Sequence, residues 1–225
     1  MDRRRWLAER RAAVIAQYDT EAPSYEDDGY SNQTQRQWVA RLLAACPPGS
    51  LVLDAPCGTG QYFAMVAAAG HRVVGVDQSA GMLERARARQ IADSVERVGL
   101  QELSYAGEFG AVMTIDAMEN VSPEDWPLVL ANLRNAMLAD GLLYLTVEEA
   151  ADSEIDEAFH ELTSRGIPAV RGELVEGDVA GYHYYPGRDR VLNWFGAAGL
   201  HVVDEAFKQE SGWGYRHFLL RTSTP

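Results

Sequence analysis

The chain has 225 residues, 47% of them hydrophobic, with 20 Lys and Arg against 33 Asp and Glu and a formal net charge of −13. That size and composition suit one compact domain with a sizeable core. The acidic balance argues against a nucleic-acid backbone as substrate, which usually needs a basic stripe, and no run approaches the ~18 consecutive apolar residues of a membrane span.

The opening stretch, MDRRRWLAERRAAVIAQY, is basic through Arg3, Arg4, Arg5, Arg10 and Arg11 but reads as an amphipathic helix. It lacks the uninterrupted apolar core and small-residue cleavage site of a signal peptide, so a cytoplasmic location is expected. Cys46 and Cys57 are too few for a disulfide framework and are not spaced as metal ligands. No metal is implied, because the acids do not cluster with histidines at ligand spacing.

Beyond the first helix, short apolar runs alternate with helical patterns. SLVLDA, HRVVGVD, FGAVMTID and GLLYLTVE read as strands. Helices are expected over Gln61 to Ala69, Ala80 to Arg89 and Pro123 to Leu138, with Ser79 and Ser122 as caps and Pro123 in a first turn. Such alternation, rich in Val, Ile and Leu, indicates a parallel sheet covered on both faces. The last third is different: a helix in ADSEIDEAFHELTSRG, two short strands around a Glu-Gly-Asp turn, a helix ending at Gly199, then HVVDEAFKQ and YRHFLLRT as an antiparallel pair at the sheet edge. The expected organisation is one domain over 1–225, with an N-terminal helix or lid over 1–32 and a substrate-covering insertion over 149–187.

In VLDAPCGTGQY, residues 52–62, a strand ends in an acid and breaks into a turn holding Gly58 and Gly60. Glycines there let a ligand approach the main chain and take positive φ. Amides at the following helix start favour an anion. Asp77 ends the next strand about twenty residues on, where a carboxylate can accept from both hydroxyls of a ribose.

VLDAPCGTG followed by VVGVDQSAGML resembles the first two motifs of class I S-adenosylmethionine-dependent methyltransferases, over about residues 33 to 148. The resemblance implies a Rossmann-like, doubly wound α/β fold: a mostly parallel seven-stranded sheet with an antiparallel last strand, helices on both faces and a small insertion before the last two strands. It implies S-adenosyl-L-methionine as cofactor, with S-adenosyl-L-homocysteine as product. Asp54, Ala55 and Pro56 with the Gly58–Gly60 loop would surround the methionine part, Asp77 would bind the ribose, and Gln78 and Met82 would flank the adenine. Pro56 stands where the family usually has glycine, and proline fixes φ and removes an amide donor. RVGLQEL would supply the loop after the third strand, with Leu100 and Gln101 at the adenine edge. In TIDAMENVSPEDW, Asp116 and Ala117 would lie beside the cofactor and Met118, Glu119 and Asn120 nearer the methyl group. Tyr18 and Tyr25 would close over the cofactor, as the tyrosine-bearing lid of many small-molecule members does.

Methyl transfer from a sulfonium asks the protein mainly to align the reactants and exclude water. A base is needed only where the acceptor, through an oxygen or nitrogen, must lose a proton. Glu119 and His217 are the candidates, with His183 as a third. Their plainer roles are a helix cap for Glu119 and a hydrogen-bonded sheet residue for His217. Trp126, Tyr182, Tyr184, Tyr185, Trp213 and Tyr215 are the aromatic supply for an acceptor pocket, the last two placed in a terminal loop. Arg171 and Arg188 are candidates to pair with an anionic group on the acceptor. A small molecule, of the secondary-metabolite kind in the family resemblance, is the expected partner of a monomer or homodimer, with protein or RNA acceptors less favoured. The rivals are a nicotinamide-dependent oxidoreductase and a non-catalytic cofactor-binding protein. Against the first, the turn lacks the third glycine of G-x-G-x-x-G.

Overall fold

The computed structural model describes residues 2–25, 33–175, 181–209 and 213–222. Two helices, α1 (Arg3–Glu21) and α2 (Gln33–Ala45), precede an alternation of β1 (Leu51–Asp54), α3 (Phe63–Ala68), β2 (Arg72–Asp77), α4 (Ala80–Ala88) and β3 (Ser94–Arg97). There follow β4 (Phe109–Thr114), α5 (Trp126–Ala136) and β5 (Met137–Ala150). The last third holds α6 (Asp152–Ser164), β6 (Glu173–Val175), β7 (Tyr182–Tyr184), α7 (Arg188–Ala197), β8 (Leu200–Gln209) and β9 (Trp213–Thr222).

Seven strands make one sheet in the order β3-β2-β1-β4-β5-β9-β8. β1 to β5 pair in parallel, and β9 runs antiparallel to both β5 and β8. The antiparallel pair is as expected, but the last strand is not the edge. β9 slots between β5 and β8 because its side chains are buried almost throughout, whereas β8 is largely exposed or half-buried. Only an inner strand can hide apolar groups on both faces. β3 was not legible as an apolar run: it is a short, half-exposed edge with the sequence SVER.

Side chains alternate across the sheet. On one face Leu53, Val74, Val76, Val112 and Leu145 meet Val129, Leu130 and Leu133 of α5 and Val191 and Phe195 of α7. On the other, Val52, Val73, Ala111 and Met113 meet Trp38 and Leu42 of α2, Phe63 and Val66 of α3 and Leu83 of α4. The strand order reverses at β1 and β4, so the crevice beyond their carboxyl ends is where an open parallel sheet offers a binding site.

Two helix starts differ from expectation. α3 begins at Phe63, after a turn through Gly60 and Gln61, and α5 begins at Trp126, with Pro127 rather than Pro123 in its first turn. The Ser122 carbonyl takes the amides of Asp125 and Trp126, while its hydroxyl caps nothing. Ser79 does cap α4, its Oγ accepting from the Met82 amide at 3.1 Å. β6 and β7 pair as a separate two-stranded sheet beside α6. Their Glu-Gly-Asp turn and the end of the 1–32 segment lie outside the described residues.

Candidate functional site

The turn after β1 is tied down on both sides. The Ala55 amide donates to the Met113 carbonyl of β4 and the Cys57 amide to the Val76 carbonyl of β2, with the Ala55–Pro56 peptide cis. Gly58 (φ +51°) would have open space around a Cβ, so its conformation is what calls for glycine. Gly60 (φ +76°) answers a different need: its Cβ would stand 2.6 Å from the Phe63 ring, and its amide already donates to the Cys57 carbonyl. The positive φ of Gly60 is as expected, and the missing Cβ makes room for Phe63. The anion-binding helix start is corrected, since α3 has six residues and the Phe63 amide is used by the Gly60 carbonyl. Cys57 is buried and its thiol pushed far up by desolvation, then by Asp54 and Asp77, which suits packing and not nucleophilic attack.

Asp77 closes β2 with both oxygens engaged: Oδ2 accepts from the Gly58 amide at 3.0 Å and Oδ1 from the Ser79 amide at 2.8 Å. Burial raises its pKa, and those amides pull it back. Asp54 lies deeper, 1% exposed, and its Oδ2 has no hydrogen-bond partner among the described residues. Desolvation, then the charge of Asp77, holds the Asp54 carboxyl far above its usual range.

An inner cavity opens in front of this turn. Pro56, Gly58, Asp77, Gln78 and Met82 line it from one side, Leu100 and Gln101 from a second, and Asp116, Ala117 and Asn120 from a third. Tyr18 and Tyr25 close the fourth, their rings 6.0 Å apart and edge-on. Of the residues expected at a cofactor, Asp54, Ala55 and Gly60 do not line it; Asp54 and Ala55 lie in the layer below. Arg11, Thr59, Gln61, Tyr62 and Ile115 also line it and were missed. Arg11 sits in a terminal helix with no sequence link to the turn, and folding alone brings it there. It donates to Glu102 Oε1 at 2.7 Å and to Gln78 Oε1 at 3.2 Å, while Asp19 Oδ1 accepts from Ser79 Oγ and the Gly81 amide, so α1 is fastened across the cleft.

Asp116 follows β4 at φ +48°, its amide donating to Thr146 Oγ1 at 2.7 Å. Burial outweighs its bonds from Thr146 and Gln35 and raises its pKa to about 7. Glu119, in the short turn Met118–Asn120, is 4% exposed. Its Oε1 accepts from the Tyr215 hydroxyl at 3.3 Å and its Oε2 is unpartnered among the described residues, so it caps no helix. Desolvation, then Glu148 and Asp116, raises its pKa to about 8.

Tyr215 lines a second, outer cavity of about 670 Å³ together with Trp213, Tyr185, His183, Glu148 and one side of α6. Trp213 and Tyr215 belong to β9, not to a terminal loop. Glu119, bonded to Tyr215 of the outer cavity, is next in the chain to Asn120 of the inner one. In the outer cavity His183 Nδ1 lies 2.7 Å from Glu148 Oε2 and 3.3 Å from the Tyr185 hydroxyl.

Besides Asp54, Ala55 and Gly60, several residues expected in catalysis or at the acceptor line neither cavity. Glu119 is one of them. His217 is buried in the sheet, stacked 5.6 Å from Trp38, with Nδ1 2.8 Å from the Tyr144 hydroxyl and its pKa lowered to about 4 by desolvation. Trp126 and Tyr184 both pack on Trp194, and Met118 is wholly buried. Their large apolar surfaces are worth more inside the core than at a wet pocket wall. Tyr182 likewise gives its hydroxyl to Glu173 at 2.8 Å. Neither arginine lines a cavity: Arg171 pairs with Asp152 and Asp156, and Arg188 with Glu205.

A sheet of this order, crossed by an antiparallel β9 and opening at β1 and β4, is the fold of class I methyltransferases. Residues 52–141, from β1 into β5, match the family described as a methyltransferase domain. In fold, and over residues 52–141 in sequence, the chain is similar to the class I S-adenosylmethionine-dependent methyltransferases. It is 33% identical over 163 residues to a malonyl-[acyl-carrier protein] O-methyltransferase of Erwinia pyrifoliae, a match covering 71% of this chain and 60% of the relative. It is 26% identical over 214 residues to a demethylmenaquinone methyltransferase of Clavibacter sepedonicus, covering 88% and 86%. The chain thus spans about 60% of the length of the Erwinia relative. Among solved structures it resembles the Burkholderia thailandensis 1,6-didemethyltoxoflavin-N1-methyltransferase bound to 1,6-didemethyltoxoflavin and S-adenosylhomocysteine. The TM-score is 0.71 at 17% identity, over 94% of this chain and 88% of that one.

Proposed function

We propose that the chain is an S-adenosylmethionine-dependent methyltransferase that methylates an oxygen or nitrogen of a small molecule, the cofactor in the inner cavity and the acceptor in the outer. The observation that carries this reading is the pairing of two acids at the ends of β1 and β2. One is a buried, unpartnered Asp54 oxygen; the other is Asp77, fixed by two backbone amides.

The donor set fits the cofactor. The Gly58 loop, backed by Asp54 in the layer beneath it, would hold its methionine end. Each Asp77 oxygen already accepts one amide and keeps a second lone pair for a ribose hydroxyl. Met82 and Leu100 offer apolar walls for the adenine, with Gln78 and Gln101 at its edge. Once bound, the cofactor supplies an electrophilic methyl on a sulfonium that is its own leaving group. The chain's part is to orient the acceptor against Tyr185, Trp213 and Tyr215, exclude water through the fastened α1, and take a proton where one must leave. Glu119 and His183 are the proton acceptors of this reading.

Calorimetric titration with S-adenosylmethionine, S-adenosylhomocysteine and NADH tests the assignment. The first two should bind at micromolar affinity and NADH should not. Asp77→Ala should weaken them roughly 10- to 100-fold, from the ~1.5–3 kcal/mol of hydrogen bonds to a charged group. Binding of NADH alone would replace this reading with hydride transfer.

A further inference from the structure

The outer cavity carries a charge pattern that the assignment of its role does not explain. Among the described residues its lining includes Glu148, Glu154, Glu157 and Glu161, and no Lys or Arg. Some of that charge is spent: Glu148 meets His183, Glu161 pairs with Arg165 at 3.2 Å and Glu154 accepts from the Ala151 amide at 3.3 Å. Two further observations come from elsewhere in the site. Glu119, bonded to Tyr215, is 4% exposed and keeps an unpartnered Oε2. Trp213 and Tyr215, edge-on to each other at 5.3 Å, both line the same cavity.

Resting on the two-cavity reading above, we propose that the acceptor is a small organic amine that enters as its cation. Carboxylates around the entrance lower the energy of an approaching ammonium and raise that of a carboxylate. Aromatic faces attract the same cation through their quadrupole, which an anion cannot use. Ala150, Ala158, Leu162 and Leu174 supply apolar contact for the body of the molecule. Before the nitrogen can accept a methyl its ammonium must give up one proton, and the Glu119 carboxylate or the His183 imidazole receives it, leaving a neutral amine with a free lone pair. The acidic lining is the reverse of what a free carboxylate acceptor would need.

The test uses the intact protein saturated with S-adenosylhomocysteine and three probes of one skeleton: 2-phenylethylamine, 2-phenylethanol and 3-phenylpropionate. Binding is followed by calorimetry or ligand-observed NMR, so no turnover is required. The amine should bind at least fivefold more tightly than the alcohol, and the carboxylate least. Glu157→Lys, on an exposed helix face, should weaken the amine at least fivefold while leaving S-adenosylhomocysteine binding unchanged. Equal or tighter binding of the carboxylate, or amine binding indifferent to both Glu157→Lys and Glu148→Gln, would overturn the proposal while the methyltransferase reading stood. Failure of S-adenosylhomocysteine itself to bind would instead overturn that reading, and this one with it.

Discussion

Asp54, Asp77, Asp116 and Glu119 form a file of acids along the carboxyl ends of β1, β2 and β4, and burial treats them differently. Asp77 is restrained by amides, whereas Glu119 has one long hydrogen bond and two acidic neighbours. A carboxyl whose pKa is raised by folding binds its proton more tightly in the folded state. Stability therefore falls as pH climbs from the unfolded carboxyl range, ~4.3, towards about 8, and levels off above. Glu119→Gln removes that titration. The melting temperature of the variant should exceed the wild type's at pH 8 and vary less between pH 5 and 8, read by circular dichroism across the series. His217 acts in the opposite sense: its lowered pKa costs stability as pH falls from 6.5 towards 4. The glycines and acids of the first turn were legible because their chemistry is local. The sheet role weighed for His217 holds, but the roles of Trp126 and Tyr184 were not legible, since a ring that packs a core and a ring that lines a pocket look alike in a chain.

Among elements, β2 and α3 depend on each other through one missing methyl group. Gly75 sits mid-strand where a Cβ would lie 2.5 Å from the Phe63 ring and 3.0 Å from Cys57 Sγ. Gly75→Ala should destabilise by about 1–3 kcal/mol, as overpacking of a tight core does. Trimming the ring in Gly75→Ala/Phe63→Leu should recover part of that loss, and denaturant melts of the three proteins would show it. α1 is held over the cleft by Asp19, which accepts from Ser79 and Gly81, so Asp19→Ala should leave the helical spectrum intact and speed cofactor release several-fold in stopped-flow exchange. The alternation of β1, β2, β4 and β5 with helices could be read directly, because buried parallel strands are unbroken apolar runs. β3 escaped the apolar pattern as a polar edge, and the start of α5 was misplaced because Pro123 and Pro127 suit a first turn equally well.

At the scale of the molecule, the two cavities are lined by elements distant in the chain, from α1 to β9. A ligand bound only by the folded state raises stability, by ~2.7 kcal/mol at 100 times its dissociation constant. For a domain of this size that amounts to roughly 5–10 °C in melting temperature. S-adenosylhomocysteine should produce such a rise in differential scanning fluorimetry, and Asp77→Ala should abolish most of it. Taken alone, the sequence determined the class of fold, the turn after β1 and the two acids that end β1 and β2, because each rests on near neighbours: strand period, glycine φ and strand-end position. Only the tertiary structure decided that β9 lies inside the sheet, that Arg11 reaches the cleft, that His217 is core and that the outer cavity is acidic. Those facts depend on which distant segments share a face, and burial energy settles that over the whole chain at once.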